Sequence, residues 1–170
     1  MRKLTIGEVY MYSNRIYFIR EDNDLTQEDL GNILKVDRSI ISKWENGKSI
    51  PPIRKINILS NRFNISFDYI FNLSNSKNNN IINSSLDLNI IGKRIVEIRI
   101  KYNLTLRDLA KELNTTSSTI SAYETGKTLL LTAFALQLCK KYNLSMDWLY
   151  GKTNKKNWLI NQFFLFYGFN

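Results

Sequence analysis

The 170-residue chain contains no histidine and one cysteine. No imidazole can act as base or ligand, no Cys/His cluster can hold a metal, and no internal disulfide can form. Cys139 lies in a helical apolar pattern, which predicts a packed thiol rather than a reactive one. The seven glycines form no phosphate-cradling loop, and no nucleophile stands beside an evident base. No apolar run approaches the roughly 20 residues that a membrane-spanning helix needs, and no secretory signal is visible. A non-enzymatic cytoplasmic protein is therefore expected, with no metal and no cofactor. Asp68 and Asp147 each fall in the first turn of a short helix, where a carboxylate favours the helix dipole and needs no chemistry.

What the chain does contain is a repeat. Shifted by 79 positions, Leu25–Asn72 lies on Leu104–Gly151 without a gap, and 15 of the 48 pairs are identical. A repeat of this length means two copies of one folding unit. Each copy reads as two short helices joined by a tight turn. Thr26-Gln-Glu-Asp29 and Thr105-Leu-Arg-Asp108 are capping boxes that precede apolar runs. The first helix should bury Leu30, Ile33 and Leu34 in one copy, and Leu109 and Leu113 in the other. Asp37 and Thr116 are placed to cap the second helix. At 100° per residue that helix puts Ile40, Ile41 and Trp44 on one arc, with Arg38, Ser39, Ser42 and Lys43 opposite. The polar arc is short, compact and partly cationic, a shape suited to the major groove of DNA.

The stretch LTQEDLGNILKVDRSIISKWENGKSIP resembles the helix-turn-helix of the phage repressor and Cro family of bacterial DNA-binding proteins. LTLRDLAKELNTTSSTISAYETGK resembles it too, and the likeness extends to SFDYIFN and SMDWLYG, which match the family's last short helix. The resemblance implies an all-α fold of two small five-helix repressor-like domains in tandem. It divides the chain into an N-terminal extension (1–14), a first domain (15–73), an Asn/Ser-rich linker (74–88), a second domain (89–156) and an apolar C-terminal tail (157–170).

Around the motifs, the expected helices are about Asn14–Glu21, one begun by Pro51 and Pro52 with proline in its first turn, Phe67–Phe71 capped by Ser66, Ile91–Lys101 and Thr132–Tyr142. The extension admits either a helix capped by Thr5 or an alternating strand. Ser74–Ser85, with five Asn and four Ser among twelve residues, has little apolar surface to bury and reads as a flexible linker. In the tail, nine of the twelve residues Trp158–Phe169 are apolar, too few to cross a bilayer. The tail either packs on its own domain or forms a homodimer contact.

By the resemblance, Arg38, Ser39, Ser42 and Lys43 fall where the family reads base edges, and Arg suits guanine O6 and N7. The matching positions hold Ser117, Ser118, Ser121 and Ala122, an uncharged surface suited to weaker readout. Gln27 matches a phosphate-contacting position whose counterpart is Leu106, and Lys48 and Lys127 stand where phosphate is contacted just beyond the recognition helix. Arg20 with Glu45, and Arg99 with Glu124, are implied to be ion pairs joining the first helix to the recognition helix. The family's usual turn glycine is replaced by Lys35 and Asn114, which must adopt a left-handed backbone. Net charge is +9, which favours a polyanionic partner. The expected function is sequence-specific recognition of double-stranded DNA by a transcriptional repressor without a cofactor. The alternative is a protein-interaction module in which one copy binds DNA and the other, or the tail, holds a partner.

Overall fold

The apolar period of 3.6 residues and the paired capping boxes give ten helices and no strand among the described residues, 15–78 and 85–154 of the computed structural model. The first unit comprises α1 (15–21), α2 (Gln27–Leu34), α3 (Arg38–Glu45), α4 (Ile53–Phe63) and α5 (Phe67–Ile70). The second repeats the order with α6 (Leu88–Lys101), α7 (Leu106–Glu112), α8 (Ser117–Glu124), α9 (Thr132–Tyr142) and α10 (Met146–Leu149). The N-terminal extension and the apolar tail, with its expected dimer contact, lie outside the described residues.

Both capping boxes close. Thr26 Oγ1 accepts the Asp29 amide at 3.1 Å while Asp29 Oδ2 accepts the Thr26 amide at 2.9 Å, and Thr105 with Asp108 repeats both distances. The hydrogen bonds from the threonines hold both carboxyls below the usual aspartate range. The expected Asp37 cap differs: Asp37 occupies the cap position of α3 but its side chain makes no capping bond, whereas Thr116 accepts the Thr119 amide at 3.2 Å. Pro52 also differs, standing at the cap of α4 rather than inside its first turn. There its fixed φ of −62° suits the turn from the extended chain into the helix. Lys35 and Asn114 take the left-handed conformation required of them, at φ 53° and 50°. Lys55 reaches across from α4 to donate to the Leu34 carbonyl at 2.7 Å, satisfying one of the orphan acceptors at the end of α2.

Leu30, Ile41, Trp44, Leu59 and Phe67 are buried in the first unit, and Leu109, Ile120, Tyr123, Leu138 and Met146 in the second, with Cys139 buried among them. Ile33 and Ile40, expected in the core, are only partly covered and pack at its edge. Gly92 allows α6 to run against the end of α8: a Cβ there would come within 2.4 Å of the Glu124 carbonyl oxygen.

The implied ion pairs are present. Arg20 Nε meets Glu45 Oε1 at 2.6 Å with the two side chains 9% and 4% exposed, and Arg99 Nε meets Glu124 Oε1 at 2.6 Å with 21% and 10% exposed. Each guanidinium also donates to a carbonyl at the end of the following loop, Leu25 or Leu104. Gln27 adds a bond to Glu45 at 2.7 Å. The hydrogen bond it donates to the carboxylate raises each arginine further above its ordinary value.

The units are not strung apart. Helices α5 and α10 pack on each other, and their first-turn aspartates, both fully buried, exchange places as caps. Asp147 accepts the Phe67 and Asp68 amides at 2.8 and 2.9 Å. Asp68 accepts the Met146 amide and the Ser145 hydroxyl, both at 2.6 Å. Around them the Phe67 and Tyr150 rings meet edge to face, centroids 5.8 Å apart. Lys152, fully buried, donates to Asn57 and Asn61 of α4 at 2.8 and 2.9 Å. The start of the Asn/Ser-rich stretch is tied down as well, with the Lys77 carbonyl accepting the Ser66 amide at 2.7 Å. Residues 79–84, the middle of the expected linker, lie outside the described residues.

Burial and the neighbouring Asp147 charge push the Asp68 carboxyl well above its ordinary range. Burial raises Asp147 too, against its two backbone donors and Lys152. The carboxyls also hydrogen-bond to each other, and Asp68 is the proton carrier because one of its oxygens meets the Ser145 hydroxyl, which can turn to accept, whereas both oxygens of Asp147 face backbone amides that can only donate. The unfolded chain releases that proton near the ordinary aspartate value of about 4. The folded state then holds more protons, so the pair's contribution to stability falls as pH rises from about 4 to the raised folded value.

Asp68→Asn, which supplies an amide hydrogen in place of the shared proton, should flatten this slope in thermal unfolding as pH rises above about 4. It should be at least as stable as the parent at the alkaline end. Asp147→Asn should instead cost about 1–3 kcal/mol, since its amide would face a backbone donor; equal behaviour of the two variants would overturn the assignment. For the ion pairs, Glu45→Ala should leave a buried guanidinium with only the half-exposed Glu21 carboxylate and cost about 3 kcal/mol in denaturant unfolding. Glu124→Ala should cost less, because Arg99 is more exposed. An unchanged midpoint for Glu45→Ala, with DNA binding weakened instead, would reassign that carboxylate to recognition.

Candidate nucleic-acid interface

Residues predicted to face DNA cluster on the outer sides of α3 and α8. Packing of Ile41 and Trp44 fixes the rotation of α3 and leaves Arg38, Ser39 and Lys43 exposed, with Ser42 half-covered. Asn46 donates to the Ser42 carbonyl at 2.8 Å and lies 3.2 Å from its hydroxyl, orienting the far end of the face. On α8, burial of Ile120 and Tyr123 turns Ser117 and Ser118 outward and half-covers Ser121 and Ala122. The Ser118 hydroxyl is already engaged with Thr116 Oγ1 at 2.8 Å. The first face carries two exposed cations and the second offers short hydroxyls and a methyl, as their sequences imply.

Lys48 and Lys127 are set in place by the ends of these helices. Gly47 and Gly126 turn the chain with φ of 67° and 68°. The next amide reaches back to the third-last helical carbonyl, Lys48 to Lys43 at 2.8 Å and Lys127 to Ala122 at 2.9 Å. This paired closure at a left-handed glycine fixes the chain direction. Both lysine side chains emerge into solvent beside the recognition face. Gln27 stands at the start of α2, half-buried against Glu45, so its amide group joins the ion pair to the edge of the face; Leu106 offers no such link. Shallow clefts flank the leading ends of both recognition helices, one lined by Thr26, Gln27 and Arg38, the other by Arg107, Lys111 and Ser117. Arg107 and Lys111 are cations beside the second face that the motif alone did not single out.

The group that sequence reasoning passed over is the interdomain set of Asp68, Ser145, Asp147 and Lys152. It positions the two faces relative to each other and touches neither. Its one signal in the sequence is that an aspartate recurs at the same register in both copies between residues that are otherwise apolar.

A family model described as a helix-turn-helix domain matches residues 13–76 and again 92–155. Over 57 residues the chain is 35% identical to the HTH-type transcriptional activator BcrR of Enterococcus faecalis; the match covers 34% of this chain and 28% of that protein. No solved structure matches the chain. With two copies of the domain over most of its length, and with the capping boxes, left-handed turns and outward recognition helices in both, the chain belongs to the helix-turn-helix family of DNA-binding transcription regulators.

Proposed function

We propose that the chain is a sequence-specific regulator of transcription that reads duplex DNA in the major groove with α3 and α8, and that it represses by occupying a promoter. It acts by binding alone, without catalysis. The observation that carries this reading is the exposed polar face of each recognition helix, held outward by buried Ile41 and Trp44 or Ile120 and Tyr123. Occlusion requires only occupancy. The related protein's name describes an activator, so a reporter fused to a bound promoter decides the sign: expression rising with the protein would sink repression and leave DNA recognition intact. A protein partner on the α8 face is the second reading, favoured by its lack of charge.

The two units divide the work. Residues 15–73 hold nine Lys or Arg against eight Asp or Glu, a net of +1, while residues 89–156 hold twelve against five, a net of +7. Yet the cationic recognition face is in the first unit. Phosphate contacts set affinity and its salt dependence, whereas base contacts set sequence choice. Arg38→Ala should therefore cost about 1–3 kcal/mol on the preferred site and relax preference at one base pair. Lys127→Ala should weaken all sequences alike and lower the salt slope by about one. Titrations of a preferred and a scrambled duplex at several salt concentrations check both. Uniform weakening by Arg38→Ala, with specificity lost on changing Ser117 or Ser118, would reverse the division.

A further inference from the structure

The contacts between α5 and α10 are reciprocal. Asp147 accepts the Phe67 amide at 2.8 Å, and Asp68 accepts the Met146 amide at 2.6 Å. Moving 79 positions along the chain converts each bond into the other. When position i of one unit touches position j of the other, and j touches i, the units are related by a two-fold axis. A head-to-tail or translational arrangement leaves such contacts unreturned.

From this we infer that one chain is a complete, internally two-fold DNA reader, whose target is an inverted repeat with two unlike halves at one fixed spacing. The inference rests on the reading of α3 and α8 as recognition helices. Two-fold-related helices meet the duplex in opposite directions, so their half-sites are inverted, a helical turn or a multiple of it apart. A direct repeat would need units related by translation. The halves differ because the faces differ: Arg38 and Lys43 on α3 can select guanine, while Ser117, Ser118 and Ala122 on α8 offer hydroxyls and a methyl. The spacing is fixed because the two units are docked, by the exchanged caps and by Lys152 clasped between Asn57 and Asn61 at 2.8 and 2.9 Å. A tether of Asn and Ser would instead allow either orientation and many spacings.

The test uses the full chain and no variant. Duplexes are selected from a random library, and the enriched halves are then rebuilt in inverted and direct orientation, and with five base pairs inserted between them. Binding is read by fluorescence anisotropy, and the number of chains per duplex by sedimentation of labelled DNA. Two unlike inverted halves bound by one chain are expected. The five-pair insertion, half a turn, should cost about 100-fold or more in affinity by denying the second unit its site. A direct repeat of equal affinity, tolerance of the insertion, a lone half-site, or a perfect palindrome holding two chains would each overturn the inference while leaving DNA recognition standing. Failure to enrich any duplex would overturn both.

Discussion

The structure depends on a pair of carboxylates that each finish the other unit's helix. A helix of four residues has almost no stability of its own, since the cost of nucleation is spread over too few hydrogen bonds. Its leading amides are also orphans, and burying them unpaired is expensive. In α5 those amides are all provided for: Phe67 and Asp68 donate to Asp147, Tyr69 donates to the Ser66 hydroxyl at 3.0 Å, and Ile70 to the Ser66 carbonyl at 3.1 Å. Two of the four partners come from the other copy. Neither unit therefore presents a finished surface there by itself, and a buried carboxylate without those donors would be costlier still. Docking is a condition of each unit's own last helix.

This explains which parts of the molecule could be read in advance. Most of what is set by neighbours close in sequence was legible: the capping boxes, the left-handed turns at Lys35 and Asn114, the Ser66 cap, and the span of α9. The rotation of α3, and with it the exposure of Arg38 and Lys43, followed from where Ile41 and Trp44 had to go. The ion pairs of Arg20 and Arg99 followed from the resemblance. What was not legible depends on groups about 80 residues apart. Asp68 and Asp147 have the position of ordinary first-turn carboxylates, and local reasoning gives them a helix dipole as sufficient purpose. The same limit applies to Gln27, whose position suggests phosphate but whose amide also serves Glu45. Asp37 shows the converse: a residue type favoured at a cap, standing at the cap, can still leave the bond unmade.

The interface is two-fold in outline and unequal in chemistry. Ser145 donates its hydroxyl to Asp68, whereas Ser66 donates to the Ser76 carbonyl at 3.3 Å. The Lys152 charge lowers Asp147, and its counterpart in the first copy is the uncharged Leu73. Two buried aspartates that hydrogen-bond to each other could not both be ionised, so one must hold the proton, and these differences decide which. The Lys152 charge and two backbone donors favour the ionised form at Asp147, leaving the neutral form to Asp68.

The same inequality runs out to the recognition helices, and it is a consequence of joining the copies in one chain. In a symmetric dimer, a change on one recognition helix appears on both, so both half-sites must change together. With separate copies, Arg38 and Ser117 vary independently, as do Lys43 and Ala122, while the shared cap exchange needs only that Asp68 and Asp147 remain. The identities between the copies fit this division. They fall at the capping threonines and aspartates, the core leucines, the ion-pair glutamates, the turning glycines with their lysines, and the interface aspartates. Of the four base-facing positions Ser39 and Ser42 are kept, as Ser118 and Ser121, while Arg38 and Lys43 are matched by Ser117 and Ala122. The copies share the frame that holds and orients two helices, and the faces it presents differ in charge at Arg38 against Ser117 and Lys43 against Ala122.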